Sequence, residues 1–153
     1  MSIPLTSPAF SEGGPIPKRH SGEGENLSPA LSWSTSAPSV RSYVLFVEDP
    51  DAPSGTFIHW VLFNIPAGVR QLTEGLPEKA EIADLGKQGV NDTRETGYFG
   101  PCPPPGKPHR YYFKIFALDR MLDLPSGSSH AQVNRAMQGH ILDSGSLMGT
   151  YRR

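Results

Sequence analysis

This chain has few of the groups that usually announce a function. Cys102 is the only cysteine in 153 residues, so no disulfide can close within one chain. The formal net charge is −1, with no basic stripe for nucleic acid and no polybasic tail for an anionic membrane. No apolar run approaches the ~20 residues that span a bilayer, so stable membrane insertion is not expected. Met1-Ser2-Ile3-Pro4-Leu5 lacks the charged-then-apolar order of a secretory signal. Together with the single thiol, this reads as a cytoplasmic protein. Gly-x-Ser-x-Gly, His-Glu-x-x-His and Cys-x-x-Cys are all missing. The usual serine-hydrolase elbow and the common zinc spacings therefore have no support.

Glycine and proline are abundant, at 16 each. Helix interiors tolerate neither, so the chain reads as one mostly β domain over 1–153, with short strands joined by defined turns. Leu31-Ser32-Trp33 predicts a short strand. Ser42–Val47 and Phe57–Ile65 are dense in β-branched and aromatic residues, as expected of strands covered on both faces. Tyr111–Leu118 predicts a third, with Tyr111, Phe113, Ile115 and Ala117 on one face. Residues 70–100 are polar and Gly-interrupted, and read mainly as loop. Ser128 or Ser129 can cap one helix, in which Val133, Ala136, Met137, His140 and Ile141 recur at helical spacing. Leu147–Tyr151 predicts a short final strand.

Two segments hold the chemistry. Asp49-Pro50-Asp51-Ala52-Pro53 leads to His59-Trp60, and Gly100-Pro101-Cys102-Pro103-Pro104 leads to His109-Arg110-Tyr111. Each joins a stiff proline corner to an imidazole at an apolar run. If the runs are neighbouring strands, Asp49, His59 and His109 converge at one sheet edge. Taken singly, each residue has a plainer reading. Asp49 and Asp51 can bond turn N–H groups, and a lone strand histidine is usually a core residue. Taken together, they form a small polar pocket that suits an anion, a metal or acid–base chemistry.

The paired motifs resemble the phosphatidylethanolamine-binding protein family, in particular its bacterial and archaeal Raf-kinase-inhibitor-like branch. Ser7-Pro8-Ala9-Phe10, Gly14-Pro15-Ile16-Pro17, Asn26-Leu27-Ser28-Pro29, Gly139-His140 and Leu147-Met148-Gly149-Thr150-Tyr151 extend the likeness along the chain. The resemblance implies a Greek-key arrangement of antiparallel β-sheets with one or two short helices. It also implies a cavity for phosphate-like or headgroup anions, lined by Asp49, His59 and His109. Gly100 and Pro101 would stand at its rim and Tyr111 close by. Asp51 and Arg110 would pair to hold the two loops, Ala52–Pro53 would be cis, and the protein would be a homodimer. Eukaryotic members carry a C-terminal helix that gates the cavity; the sequence up to Arg153 predicts none.

Three functions remain open on sequence. The first is an anion- or headgroup-binding module without a cofactor, compatible with modulating a protein partner. The second is a weak hydrolase using the Asp–His pocket, or Cys102 as nucleophile with His109 as base. Against the thiol, Cys102 lies among prolines with no helix N-terminus to activate it. The third is an Asp/His/His metal site. His20, His130 and His140 read as surface, cap or core residues.

Overall fold

Tyr43 to Val47 is apolar at every position because both faces of its strand are covered. In the computed structural model, which describes residues 2–153, Tyr43, Leu45 and Val47 point into one core. Val44 and Phe46 point into another. This strand, β3, runs Ser42–Asp49 and lies near the middle of a six-stranded antiparallel sheet. Its partners are β4 (Phe57–Pro66) and β8 (His109–Leu118). Beyond β4 come β7 (Gly86–Gln88) and β6 (Glu81–Ile82), and beyond β8 comes β9 (Ile141–Tyr151). A second sheet holds β1 (Leu5–Thr6), β2 (Leu31–Trp33) and β5 (Gln71–Leu72) in the order β1-β2-β5.

The first core lies between the sheets, where Leu31, Trp33 and Leu72 meet Tyr43, Leu45, Trp60, Leu62, Phe113 and Ile115. The second is closed by the helix α1 (His130–Met137), whose Val133 and Met137 cover Val44, Phe46, Val61 and Phe63. In space the strands read β8-β3-β4-β7, so the fourth returns to lie beside the first, as in a Greek key. The long return between β7 and β8 carries the second proline-rich motif past the end of β3. That placement follows from topology alone.

Three expectations change. Residues 70–100, read mainly as loop, contribute β5, β6 and β7; two or three residues are too few to show a periodic pattern. The helix stops at Met137 rather than continuing through His140 and Ile141. Gln138 is extended, Gly139 takes φ 84°, and Ile141 already pairs with Leu118. The final strand begins at Ile141 rather than Leu147. Ile141 and Leu142 are exposed and Asp143-Ser144-Gly145-Ser146 interrupts the apolar pattern, which resumes only at Leu147.

That segment covers the outer edge of β9, which would otherwise offer unpaired backbone groups. Ile3 N–H donates to the Ser144 carbonyl at 2.9 Å, Gly13 N–H to Met148 at 2.7 Å, and Ile16 N–H to Thr150 at 2.7 Å. Gly145 permits the contact, since a Cβ there would overlap the Ile3 carbonyl oxygen. Gly145→Ala is therefore expected to detach the segment and cost about 1–3 kcal/mol, as overpacking does. A fall in the urea midpoint checks this; an unchanged midpoint would show that the edge cover does not matter to stability.

Candidate functional site

Asp49 ends β3 where Pro50 can no longer donate to the ladder. The residue is 3% exposed, so its carboxylate requires donors. It has two. Oδ1 accepts the Asp51 N–H at 2.7 Å, and Oδ2 accepts from His109 Nδ1 at 2.7 Å. The turn-forming role and the site-forming role thus belong to one side chain. His109, 9% exposed, opens β8 opposite Tyr151.

His59 reaches the same place by a β-bulge. The β3–β4 register steps from Val47↔Trp60 to Glu48↔Ile58, leaving His59 as the extra residue. Bulges re-aim a side chain in this way. The ring is 3% exposed. Its Nδ1 donates to the Phe99 carbonyl at 2.5 Å, while Phe99 N–H donates back to the His59 carbonyl at 3.0 Å. The ring also stacks on Phe99 at 5.6 Å and meets the Tyr111 ring edge-on at 5.2 Å. Burial lowers the His59 pKa; the Phe99 carbonyl and the Asp49 and Asp92 carboxylates oppose this only in part. Burial, and then the Asp49 charge, raises the pKa of Tyr111, whose phenol stays protonated.

Asp49, His59, His109 and Tyr111 all face one cavity of about 210 Å³. Its walls are Ala52, Pro53, Phe57, Phe99, Cys102, Pro103 and Pro104, so a mostly apolar funnel ends on a polar floor. Among the described residues, neither the His59 nor the His109 Nε2 has a hydrogen-bond partner, whereas both Nδ1 atoms do.

The rim differs from expectation. Gly100 and Pro101 do not line the cavity but stand behind it. The Gly100 N–H donates to Asn26 Oδ1 at 2.7 Å, and the Pro101 carbonyl accepts from Gly22 N–H at 2.8 Å. A side chain at 100 would overlap the His20 carbonyl. These two residues tie the wall to the 20–26 loop, and Phe99, Pro103 and Pro104 form its inner surface. Ala52–Pro53 is trans, as are all described peptide bonds. Trans is preferred even before proline, and the corner closes through the Asp49 turn and a Gly55 N–H bond to the Ala52 carbonyl at 3.1 Å.

Outside the cavity, Asp51 and Arg110 pair in bidentate fashion. Nε donates to Oδ2 at 2.9 Å and Nη2 to Oδ1 at 2.8 Å, and the Arg110 N–H also reaches Oδ2 at 2.9 Å. The guanidinium holds the Asp51 carboxyl at about 2. The pair fixes the 50–53 corner to the start of β8, next to the Asp49–His109 contact. Cys102 is exposed at the cavity lip, beside Gly22. The other histidines lie elsewhere. His20 Nδ1 donates to the Leu27 carbonyl, His130 meets Glu48 at 2.9 Å, and His140 meets Asp119 at 3.1 Å. Among the described residues, no three His, Cys, Asp or Glu side chains form a metal-binding group.

Sequence reasoning missed Phe57, Phe99 and Asn26. Phe57 lies two residues before His59, a spacing that would have suggested a shared face. Phe99 acts largely through its backbone, which no residue pattern reveals.

Two antiparallel sheets packed about one core, with a buried carboxylate and two strand-anchored imidazoles on one cavity, define a small-pocket β protein. The family model described as phosphatidylethanolamine-binding protein matches residues 6–152, and the chain belongs to this family. A UPF0098 protein of Methanothermobacter thermautotrophicus is 46% identical over 149 residues, covering 97% of this chain and 98% of the relative. A crystal structure of a phosphatidylethanolamine-binding protein homolog from Chlamydia trachomatis superposes with TM-score 0.90 at 43% identity, covering 99% of this chain and 98% of that one. Escherichia coli YbcL, described as a member of the mammalian family, gives 0.89 at 32% identity, covering 100% and 99%.

The depressed Asp51 pKa has a definite sign. A folded-state value below the unfolded ~3.9 adds stability that is complete above that value and lost as pH falls toward about 2. Because the pair is partly solvated, Asp51→Asn is expected to cost less than about 1 kcal/mol at neutral pH. The difference from wild type should shrink as pH falls through that window, read by urea unfolding at several pH values. A pH-independent difference would assign the effect to the backbone contact instead.

Proposed function

We propose that this protein binds small oxyanions of the phosphate type, free or as a headgroup, in the Asp49–His59–His109 cavity. It acts as a binding module rather than a dedicated catalyst. The observation that carries the reading is the orientation of the two imidazoles. Each fixes its Nδ1 on an acceptor and leaves Nε2 to the cavity, where a ligand oxygen can be met. The mostly apolar walls lower the local dielectric around that contact and strengthen it. Family membership supports the same reading.

The Asp49 charge opposes an anion unless a neighbouring imidazole is protonated. His109, in contact with Asp49, is the ring placed to carry that proton. Anion binding should therefore be tighter at mildly acidic than at mildly basic pH. Affinity for a free anion is expected to be weak, because few atoms make contact. Calorimetric titration of phosphate and phosphoethanolamine at mildly acidic and mildly basic pH tests this. Wild type should bind more tightly in acid, and His109→Ala should lose about tenfold or more. Binding indifferent to both pH and substitution would exclude the cavity. Turnover of a phosphate or carboxylic ester that is lost in Cys102→Ala would favour the hydrolase reading.

The homodimer is a separate proposal, resting on the family resemblance. Met121, Ile141 and Leu142 are exposed large apolar side chains. Light scattering is expected to give twice the chain mass; a monomer at all working concentrations would refute it.

A further inference from the structure

The two imidazoles are not equivalent, and the difference bears on which phosphates fit. His109 donates through Nδ1 to a carboxylate at 2.7 Å, so a second proton on the ring sits in an ion pair and its Nε2–H can be given to a ligand. His59 donates through Nδ1 to a neutral carbonyl, at the back of an aromatic cage of Phe57, Phe99 and Tyr111. A carbonyl only accepts, so the proton of the neutral His59 ring is fixed on Nδ1 and its Nε2 carries a lone pair. Burial keeps this ring neutral. The titratable groups around it are Asp49 from β3, Asp92 from the loop after β7, His109 and Tyr111 from β8, and Cys102 from the wall. The two carboxylates favour a charge on His59, His109 disfavours it, and burial outweighs them. The cavity floor therefore offers one donor and one acceptor.

We infer that the cavity prefers an oxyanion that keeps one acidic hydrogen, a phosphate monoester monoanion, over a phosphate diester. One phosphoryl oxygen accepts from His109 Nε2–H while the P–OH donates to His59 Nε2. A diester has no P–OH and leaves the buried His59 lone pair facing an oxygen, which costs free energy. Sites built around a ligand hydroxyl discriminate strongly against analogues that lack it. This inference rests on the oxyanion reading of the cavity. It narrows that reading to free phosphate and monoesters, away from the diester of an intact phospholipid.

Methyl phosphate and dimethyl phosphate are matched probes of similar size. The test titrates each into the full chain, followed by amide NMR shifts of residues around the cavity, at about pH 6 and about pH 8. At the lower pH the monoester is expected to bind about tenfold or more tightly. A monoester loses its last acidic hydrogen near pH ~6, so this advantage should shrink at the higher pH. Equal affinity at the lower pH, or an advantage that grows with pH as recognition of dianion charge would require, overturns the inference and leaves the oxyanion site standing. Failure of both probes to bind overturns the site as well. The ¹⁵N shift of His59 Nε2 in the free protein gives a check that needs no variant. It is expected to read as an unprotonated nitrogen at neutral pH, and a protonated one would refute the assignment. In His59→Gln, the monoester preference should fall while dimethyl phosphate binding persists; an undiminished preference would also refute it.

Discussion

The Asp49 carboxylate is the constraint on which the site depends. A buried carboxylate without donors is costly, so it must be satisfied at the end of β3. One oxygen takes the Asp51 N–H, which bends the chain into the proline corner. The other takes His109 Nδ1, which fixes the first residue of β8 against the last residue of β3. The corner and the strand junction thus share one group. The Asp51–Arg110 pair repeats the connection on the outer side, where solvent reduces its energetic weight but not its geometric effect. Removing the Asp49 charge would release both the turn and the imidazole together.

A second coupling links the opposite wall to the same floor. Phe99 exchanges two hydrogen bonds with His59, one from backbone to backbone and one from ring to backbone. The bulge in β4 and the loop that leads to Pro103 and Pro104 are therefore held as one unit. Behind them, Gly100 and Pro101 bind the 20–26 loop, whose Asn26 adopts φ 58°. The proline wall is supported from the rear as well as stiffened from within. Such a site loses little entropy on binding, which suits a cavity too small to gain affinity from area.

Much of this was legible in the sequence where burial wrote a pattern. β3 and β4 were readable because both faces are covered, which forces nearly continuous apolar runs, and β8 because buried Tyr111, Phe113, Ile115 and Ala117 alternate with less buried residues. The meeting of Asp49, His59 and His109 was readable only from the paired motifs, since nothing local says that residues 49 and 109 are neighbours. What stayed hidden has common causes. β5, β6 and β7 are too short for periodicity. The start of β9 is masked because its two apolar residues, Ile141 and Leu142, are exposed and Asp143–Ser146 breaks the alternation before Leu147. Met137, His140 and Ile141 share helical spacing, yet the chain turns at Gly139 and the pattern continues by coincidence into a strand. The bulge at His59 and the carbonyl of Phe99 are backbone facts without a residue signature.

The backbone contact at His59 decides the chemical character of the cavity. Had both rings met carboxylates, both could form ion pairs and the floor would suit any anion alike. A carbonyl instead of a carboxylate behind His59 offers the same orientation with far less stabilisation of the imidazolium, and burial then holds the ring neutral. The pocket therefore need not desolvate two adjacent positive rings, which would repel each other. It offers complementary hydrogen-bonding partners instead, at the cost of total charge. Charge alone would attract any anion, whereas a fixed donor and a fixed acceptor, held by Asp49 and Phe99, discriminate by where the ligand keeps its proton.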